Sequence, residues 1–238
     1  MHSLLLRSEL LARAGFTHGF STRWASVTGV EGSFPSDAEH LRGFFGALGR
    51  DPSSAMRVKQ VHGAAVLTEP LADWQGEGDA IAFREAQAQV TPVIRTADCV
   101  PILLGNPFGE QVAAVHAGWR GVERNIVSEA VRALHVAPEW LVAAIGPCLC
   151  TACFEVGEEV VTALMPVTGE DIVDRSFGPK PHVNLRLAVR LQLRTMGLSN
   201  AAIEDVAGCT RCEPERFFSY RRDGANAGRQ MAVIVPRA

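Results

Sequence analysis

Apolar residues in this chain recur in short blocks. Seven of them carry strand character: Phe16–Thr22, Ala64–Leu67, Ala80–Phe83, Val100–Leu104, Val112–His116, Leu141–Ile145 and Met231–Val235. Gly, Pro or Asn flanks these runs, the punctuation expected where strands end. A second spacing alternates with the first. Val122, Ile126, Ala130, Val131 and Leu134 recur at i, i+4 and i+8 and predict one helix with an apolar face over 122–135. Glu155–Leu164 and Leu185–Met196 are further helix candidates, the latter with Asn184 placed as a cap and Gly197 as a stop. Ser26–Asp37 holds Gly, Ser and Pro without periodicity and reads as a loop. The two spacings interleave too irregularly for a plain βαβ series. The expected fold is therefore α/β (α+β), a mixed β-sheet sandwich covered by helices. No repeat or linker divides the chain, so residues 1–238 are expected to form a single domain.

Composition narrows the class. With 47% hydrophobic and 21% charged residues, 238 residues can bury a core that needs no disulfide staples. The net charge of -3 gives no global basic field for nucleic acid. Runs such as Val112–Ala117 and Leu141–Gly146 are too short to cross a bilayer. Glu9 and Arg13 interrupt the leucine-rich start before a signal-peptide core can form. Six cysteines without such a signal predict reduced thiols in a cytoplasmic protein, with metal ligation open to them.

Three stretches concentrate chemistry. Lys59-Gln-Val-His62-Gly precedes the apolar run 64–67. Thr96-Ala-Asp98-Cys99 leads directly into Val100–Leu104, where an acidic residue must be paired, hydrogen-bonded or part of a site. Val112–His116 runs on through Ala-Gly-Trp119-Arg120-Gly to the helical pattern. Strand-to-helix turns are where α/β folds place ligands, and Arg120 adds a planar fork suited to phosphate. His62, Cys99 and His116 each sit at a strand end, and two imidazoles with one thiolate form a donor set that zinc prefers. Three protein ligands leave a fourth position for water or substrate, the catalytic pattern.

Other cysteines stand apart. Cys148, Cys150 and Cys153 make a C-x-C-x-x-C group and Cys209 and Cys212 a C-x-x-C pair. The spacings permit a second, structural zinc, although no Gly-rich knuckle surrounds either group. Phe217–Gly224 and Gly228–Gln230 combine aromatics with Arg221, Arg222 and Arg229, which could clamp phosphate or stack a base. Ser21-Thr22-Arg23 offers another hydroxyl-plus-Arg anion site.

Taken in order, Lys59–Gly63, Thr96–Leu104, Ala113–Gly121, Ile145–Cys148 with Phe154–Gly157, Cys209-Thr210, Phe217–Gly224 and Gly228–Gln230 resemble the YfiH-like family, also labelled polyphenol oxidase or laccase-domain proteins. The resemblance spans roughly residues 16 to 235. It implies a mixed α/β sandwich and a single zinc on His62, Cys99 and His116, with copper as the alternative metal. It further implies purine nucleoside phosphorylase, methylthioadenosine phosphorylase and adenosine deaminase activities in one pocket. Nucleoside and phosphate are the expected partners of a monomer or homodimer, without nucleic acid or membrane. Arg23 falls where the family has a Thr-Arg pair near substrate phosphate. Phosphate would be held by Arg120 with Arg23 or Arg221. Deamination also needs a proton shuttle, and Asp98 and Asp79 both stand as candidates, since the H-x-E…P-C-x-x-C signature of zinc nucleobase deaminases is missing. This chain departs from the family at Trp24–Asp37, at Phe154 where Tyr is frequent, and at Cys150 and Cys212. Two rival readings follow from the same residues: a copper-dependent polyphenol oxidoreductase, for which seven scattered histidines are few, and a thiol hydrolase with Cys99 as nucleophile and His62 or His116 as base.

Overall fold

In the computed structural model, which describes residues 3–25, 37–70, 73–74, 76–85 and 90–237, the apolar runs form most of two sheets. In chain order the strands are β1 (Leu5–Leu6), β2 (His18–Ser21), β3 (Ala55–Met56), β4 (Val66–Thr68), β5 (Ala80–Phe83), β6 (Thr91–Thr96) and β7 (Val100–Gly105). There follow β8 (Val112–Ala117), β9 (Val142–Ile145), β10 (Val173–Asp174), β11 (His182–Val183), β12 (Ile203–Asp205) and β13 (Gln230–Ile234). One sheet has the order β1-β2-β13-β6-β3 and the other β12-β9-β7-β8-β5-β4, while β10 and β11 pair by themselves. Both large sheets are mixed: β3–β6, β4–β5 and β9–β12 are parallel and the other pairs antiparallel.

Alternation along β5 shows why its sequence is apolar throughout. Ile81 and Phe83 face the five-stranded sheet and pack with Phe20, Ile94, Ala232 and Ile234. Ala80 and Ala82 face the opposite way, into a core shared with helices. A strand buried on both faces loses the apolar–polar alternation of a half-buried one. The sheets approach closely: a Cβ built on Gly146 would lie 2.4 Å from the Phe20 ring, so glycine alone fits there.

Helices cover both outer faces. They are α1 (Glu9–Arg13), α2 (Asp37–Ala47), α3 (Trp119–Glu123), α4 (Ile126–Ala133), α5 (Glu158–Thr168), α6 (Leu185–Thr195) and α7 (Tyr220–Asp223). On the six-stranded sheet, Val127, Ala130 and Val131 of α4 and Ala188 and Val189 of α6 share the core. On the five-stranded sheet, α2 sets Leu41, Phe44 and Phe45 against Val93, Met231 and Val233. The architecture is the expected mixed α/β sandwich.

Some expectations need correction in detail. The single helix over 122–135 is two helices, broken where Asn125 takes φ 62°. Asn tolerates the left-handed region, and both short helices bury side chains in the same core, so the apolar periodicity survives the break. The helix expected from Glu155 begins at Glu158, because Glu155 is engaged in a bridge with His182. Asn184 caps α6 as expected, its side chain accepting from the Leu187 N–H at 2.9 Å, and Gly197 follows with φ 112°. Of the expected loop Ser26–Asp37, residues 26–36 lie outside the described residues and Asp37 opens α2.

A distant carboxylate anchors α1. Glu204 accepts from the Ser8 hydroxyl at 2.7 Å and from the N–H groups of Glu9 and Leu10 at 3.0 and 2.7 Å. Burial would raise its pKa, but these donors hold it below the usual glutamate range. A depressed pKa means the stabilisation is complete above the unfolded-state value, about 4.3, and is lost as the pH falls through the folded value. Glu204→Gln is therefore expected to cost about 1 kcal/mol at neutral pH. That is a fall of roughly 2–4 °C in melting temperature. The gap from wild type should close in acid; equal melting temperatures at pH 7 would remove the anchor.

Candidate metal-centred active site

Strand pairing collects the predicted chemistry at one end of the six-stranded sheet, where β7, β8, β5 and β4 lie side by side. In the β7–β8 register Val100 faces Ala117, which places Cys99 beside Gly118. In the β5–β8 register Ala80 faces Val115, and the His116 N–H donates to the Asp79 carbonyl at 2.7 Å. His62 belongs to the turn before β4, with φ 58°.

Asp79 organises this end. Fully buried, it accepts from the backbone N–H groups of Val61, His62 and Gly63 at 3.3, 3.0 and 2.6 Å. Consecutive N–H groups around a left-handed residue form a concave anion nest, here filled by a side-chain carboxylate. The same carboxylate takes Nδ1 of His116 at 2.7 Å. Burial works against its ionisation, but His116 and the nest keep its pKa below the usual aspartate range. One group therefore fixes both the His62 turn and the His116 ring. With Nδ1 committed to Asp79, Nε2 of His116 is free to ligate, the arrangement metal-binding histidines commonly show.

One donor atom from each of His62, Cys99 and His116 lies within 4.8 Å of the others. The two imidazoles meet edge to face with centroids 4.8 Å apart. A Cβ on Gly118 would stand 3.1 Å from His62 and 3.2 Å from the Cys99 sulfur, so a bare backbone lies against the ligand cluster. Burial raises the Cys99 pKa, yet the charge and hydrogen bonds of His116 and His62 bring it down to about 6. Burial lowers that of His116, and Cys99 and Asp79 lift it to about 9. Each group thus favours the charged form of the other, and a cation bound in place of the ring proton would release that proton. Donor chemistry, convergence and a buried carboxylate behind the ring all fit a zinc ion.

Beside the cluster opens a cavity of about 680 Å³. His62, Cys99 and His116 line it together with Asp98, Arg120 and Arg221. Arg120 stacks on Trp119 at 4.4 Å and, among the described residues, has no carboxylate or carbonyl partner. Arg221 donates to the Glu155 carbonyl at 3.1 Å and lies over Phe154. Asp98, at φ 95°, accepts from the Thr210 hydroxyl at 2.7 Å and from the Arg221 N–H at 2.6 Å. The two candidate carboxylates are thereby separated: Asp98 lines the cavity, whereas Asp79 is buried behind His116. Arg23 does not line the cavity; it donates to the Pro214 carbonyl and lies over Phe218 at 5.4 Å. Trp119 and Arg120, expected in the turn before the helix over 122–135, instead open the five-residue helix α3.

Residues 36–237 match the family described as multi-copper polyphenol oxidoreductase laccase. The chain is 37% identical over 209 residues to "Purine nucleoside phosphorylase YfiH" of Escherichia coli (strain K12), covering 85% of this chain and 82% of that protein. The chain belongs to the YfiH-like, laccase-domain family. It is also 36% identical over 201 residues to "Adenosine deaminase RL5" from an unknown prokaryotic organism, covering 79% of this chain and 77% of the relative. The crystal structure of YlmD from Geobacillus stearothermophilus superposes with a TM-score of 0.86 at 28% identity, covering 99% of this chain and 97% of that one.

Within this YfiH-like chain the sequence motifs missed several cavity residues. Arg95 and Trp74 line the cavity, with the Arg95 guanidinium 5.0 Å from the Trp74 ring. Neither stands in a motif, although Arg95 directly precedes Thr96-Ala-Asp98-Cys99, and the Gln60 amide, two residues from His62, holds its backbone at 2.8 and 2.9 Å. Thr210 was visible only as part of a Cys-Thr pair, not as the partner of Asp98.

The histidines also speak to the family's multi-copper description. Among the described residues only His62 and His116 join a metal-type cluster. His18 uses both ring nitrogens on Ser8 and Phe16, His40 bonds the Thr22 carbonyl, and His182 bonds that of Thr151. The second metal-type group is built from cysteines, so a centre of several histidine-held copper ions is not assembled among the described residues.

Proposed function

We propose that this chain is a zinc-dependent purine nucleoside enzyme, acting as one catalytic domain in the cytoplasm, that phosphorolyses adenosine, inosine and methylthioadenosine and deaminates adenosine. The observation that carries this reading is the convergence of His62, Cys99 and His116 on a cavity that also presents several aromatic faces and Arg120, which has no carboxylate or carbonyl partner among the described residues. The names of the relatives at 36–37% identity point the same way.

The roles follow from the contacts. Trp119, Phe154 and Tyr220 offer faces for a purine ring. Arg120, its charge not spent on a carboxylate, holds phosphate against ribose C1′, where the work is positioning and charge stabilisation. Arg221, on α7, adds a second positive charge to the cavity. Asp98, held by Thr210 and the Arg221 N–H, is the cavity carboxylate that can carry a proton to and from the purine during deamination. Asp79 positions His116 and does not touch substrate. His62, Cys99 and His116 would hold the zinc ion, which when bound would supply Lewis acidity toward water.

Incubation with adenosine, inosine and methylthioadenosine, with and without phosphate, followed by separation of products, tests the reading. Free base and ribose 1-phosphate should form only with phosphate, and inosine should form from adenosine without it. Arg120→Ala should raise the phosphate KM about 10-fold or more while leaving nucleoside KM near wild type, with partial rescue by Lys, which lacks the bidentate fork. An unchanged phosphate response would move the anion to Arg221 or Arg229.

The Cys99–His116–Asp79 chain of contacts also matches the order of a thiol hydrolase's nucleophile, base and orienting acid. Chelation separates the two readings: it removes activity if a metal is required and spares a thiol hydrolase, which iodoacetamide would stop instead.

A further inference from the structure

The structure sorts the remaining five cysteines into a group of four and one apart. Cys148 is buried, and its sulfur takes the Arg186 guanidinium at 3.5 Å. Its backbone bridges Cys209 in parallel, and the Thr210 N–H donates to the Cys148 carbonyl at 3.1 Å. This short ladder lays the loop after β9 along the loop before α7. Two C-x-x-C turns, 59 residues apart, thus face each other: Cys150 with Cys153, and Cys209 with Cys212.

Their four sulfurs lie within 4.8 Å of one another. Cys153 and Cys212 are separated by 3.2 Å and Cys150 and Cys212 by 3.9 Å. Four sulfurs about 2.3 Å from a central ion occupy a tetrahedron with edges of about 3.8 Å. A cluster of several irons would need a wider frame. The Cys209 sulfur also accepts from the N–H groups of Cys150 and Cys212, at 3.3 and 3.5 Å. Such donors favour the charged thiolate, the form that binds metal. Four free thiols crowded this closely, in contrast, gain little from one another.

We propose that Cys150, Cys153, Cys209 and Cys212 bind a second, structural zinc ion that ties the loop after β9 to the loop before α7. Four thiolates without a carboxylate or imidazole form the soft donor set zinc takes in closed sites. The group is separate from the catalytic cluster, and it lines no part of the cavity. Its consequence reaches the cavity through the backbone. Leu149 and Phe154, on either side of the first turn, are lining residues, and Thr210, inside the second, holds Asp98. The ion would fix the wall on which the acid–base group is mounted.

Metal analysis of reduced, purified protein tests this. Wild type should carry two zinc ions per chain, and Cys150→Ser/Cys212→Ser one. The double variant should melt roughly 10 °C lower. Cys99→Ala, which empties the catalytic site, should retain one zinc whose X-ray absorption shows only sulfur, at about 2.3 Å. That second variant answers the question even if the first does not fold, and it keeps the two sites distinguishable. A Cys99→Ala protein without zinc, iron in place of zinc, or a Cys153–Cys212 disulfide mapped in unreduced protein would each overturn the proposal.

Discussion

Replacing His116 by alanine is expected to abolish adenosine deamination and to lower phosphorolysis by about 10²-fold. The zinc content should fall by one ion per chain. The two losses have different origins. Deamination requires an activated water at purine C6 and fails outright when the ligand set is incomplete. Phosphorolysis, with Arg120 in the proposed phosphate-holding role four residues along the same turn, should suffer because that turn loses the anchor between His116 and Asp79. A displacement of about 1 Å at a reacting group is enough for a loss of that size. Initial rates of both reactions, measured with metal content on the same preparation, provide the check. Wild-type phosphorolysis in protein whose catalytic site is demonstrably empty would falsify the one-pocket reading.

Asp79→Asn should cost about 10–100-fold in metal affinity at the catalytic site, although Asp79 is not itself a ligand. The substituted amide can accept through one atom only, while four N–H donors converge on the carboxylate. Its NH₂ group would face backbone donors, and leaving such groups unsatisfied costs about 1–3 kcal/mol of stability. Chelator competition and thermal melts read these separately. Asp98→Asn is the control: it should impair deamination and leave metal affinity at the wild-type value. Equal metal affinity in Asp79→Asn and wild type would reduce Asp79 to a packing residue.

How much of this was legible beforehand depended on whether information was local. The run Ala80–Phe83 reads as a strand because four consecutive apolar residues suffice to state burial on both faces. Asn184 and Gly197 bracket α6 because capping is a contact between near neighbours. By contrast, β6 escaped notice: Pro92 and Arg95 interrupt its apolar character, and the strand is held by β13 from the far end of the chain. The helix α2 escaped too, since Gly43 and Gly46 dilute its signal. At the site His62, Cys99 and His116 were readable as metal-type donors at strand ends, and the ordered motifs identified the family. What the sequence left open was which carboxylate served which function. Asp79 and Asp98 look alike as acids before apolar strands; the register of β5 against β8 puts Asp79 behind His116, while Thr210 and the Arg221 N–H hold Asp98 at the cavity. The cysteines pose the same problem: spacing grouped Cys148 with Cys150 and Cys153, whereas the fold turns its sulfur toward Arg186.

The place of β13 bears on how the chain comes to be folded at all. This strand follows every other in sequence yet lies in the interior of its sheet, between β2 and β6. The Met231 N–H donates to the Ser21 hydroxyl oxygen across 210 positions. During synthesis β2 and β6 therefore wait, unable to pair with each other, with Phe20 and Ile94 still exposed to solvent. Contacts of such sequence separation close slowly, and unpaired apolar edges invite association with other chains while they last. The six-stranded sheet, whose strands lie between residues 66 and 205, can assemble earlier and carry its ligand end with it. The second layer is completed only once residues 230–234 have cleared the ribosome, so a nascent chain stalled before that point would hold a catalytic end on a half-built support.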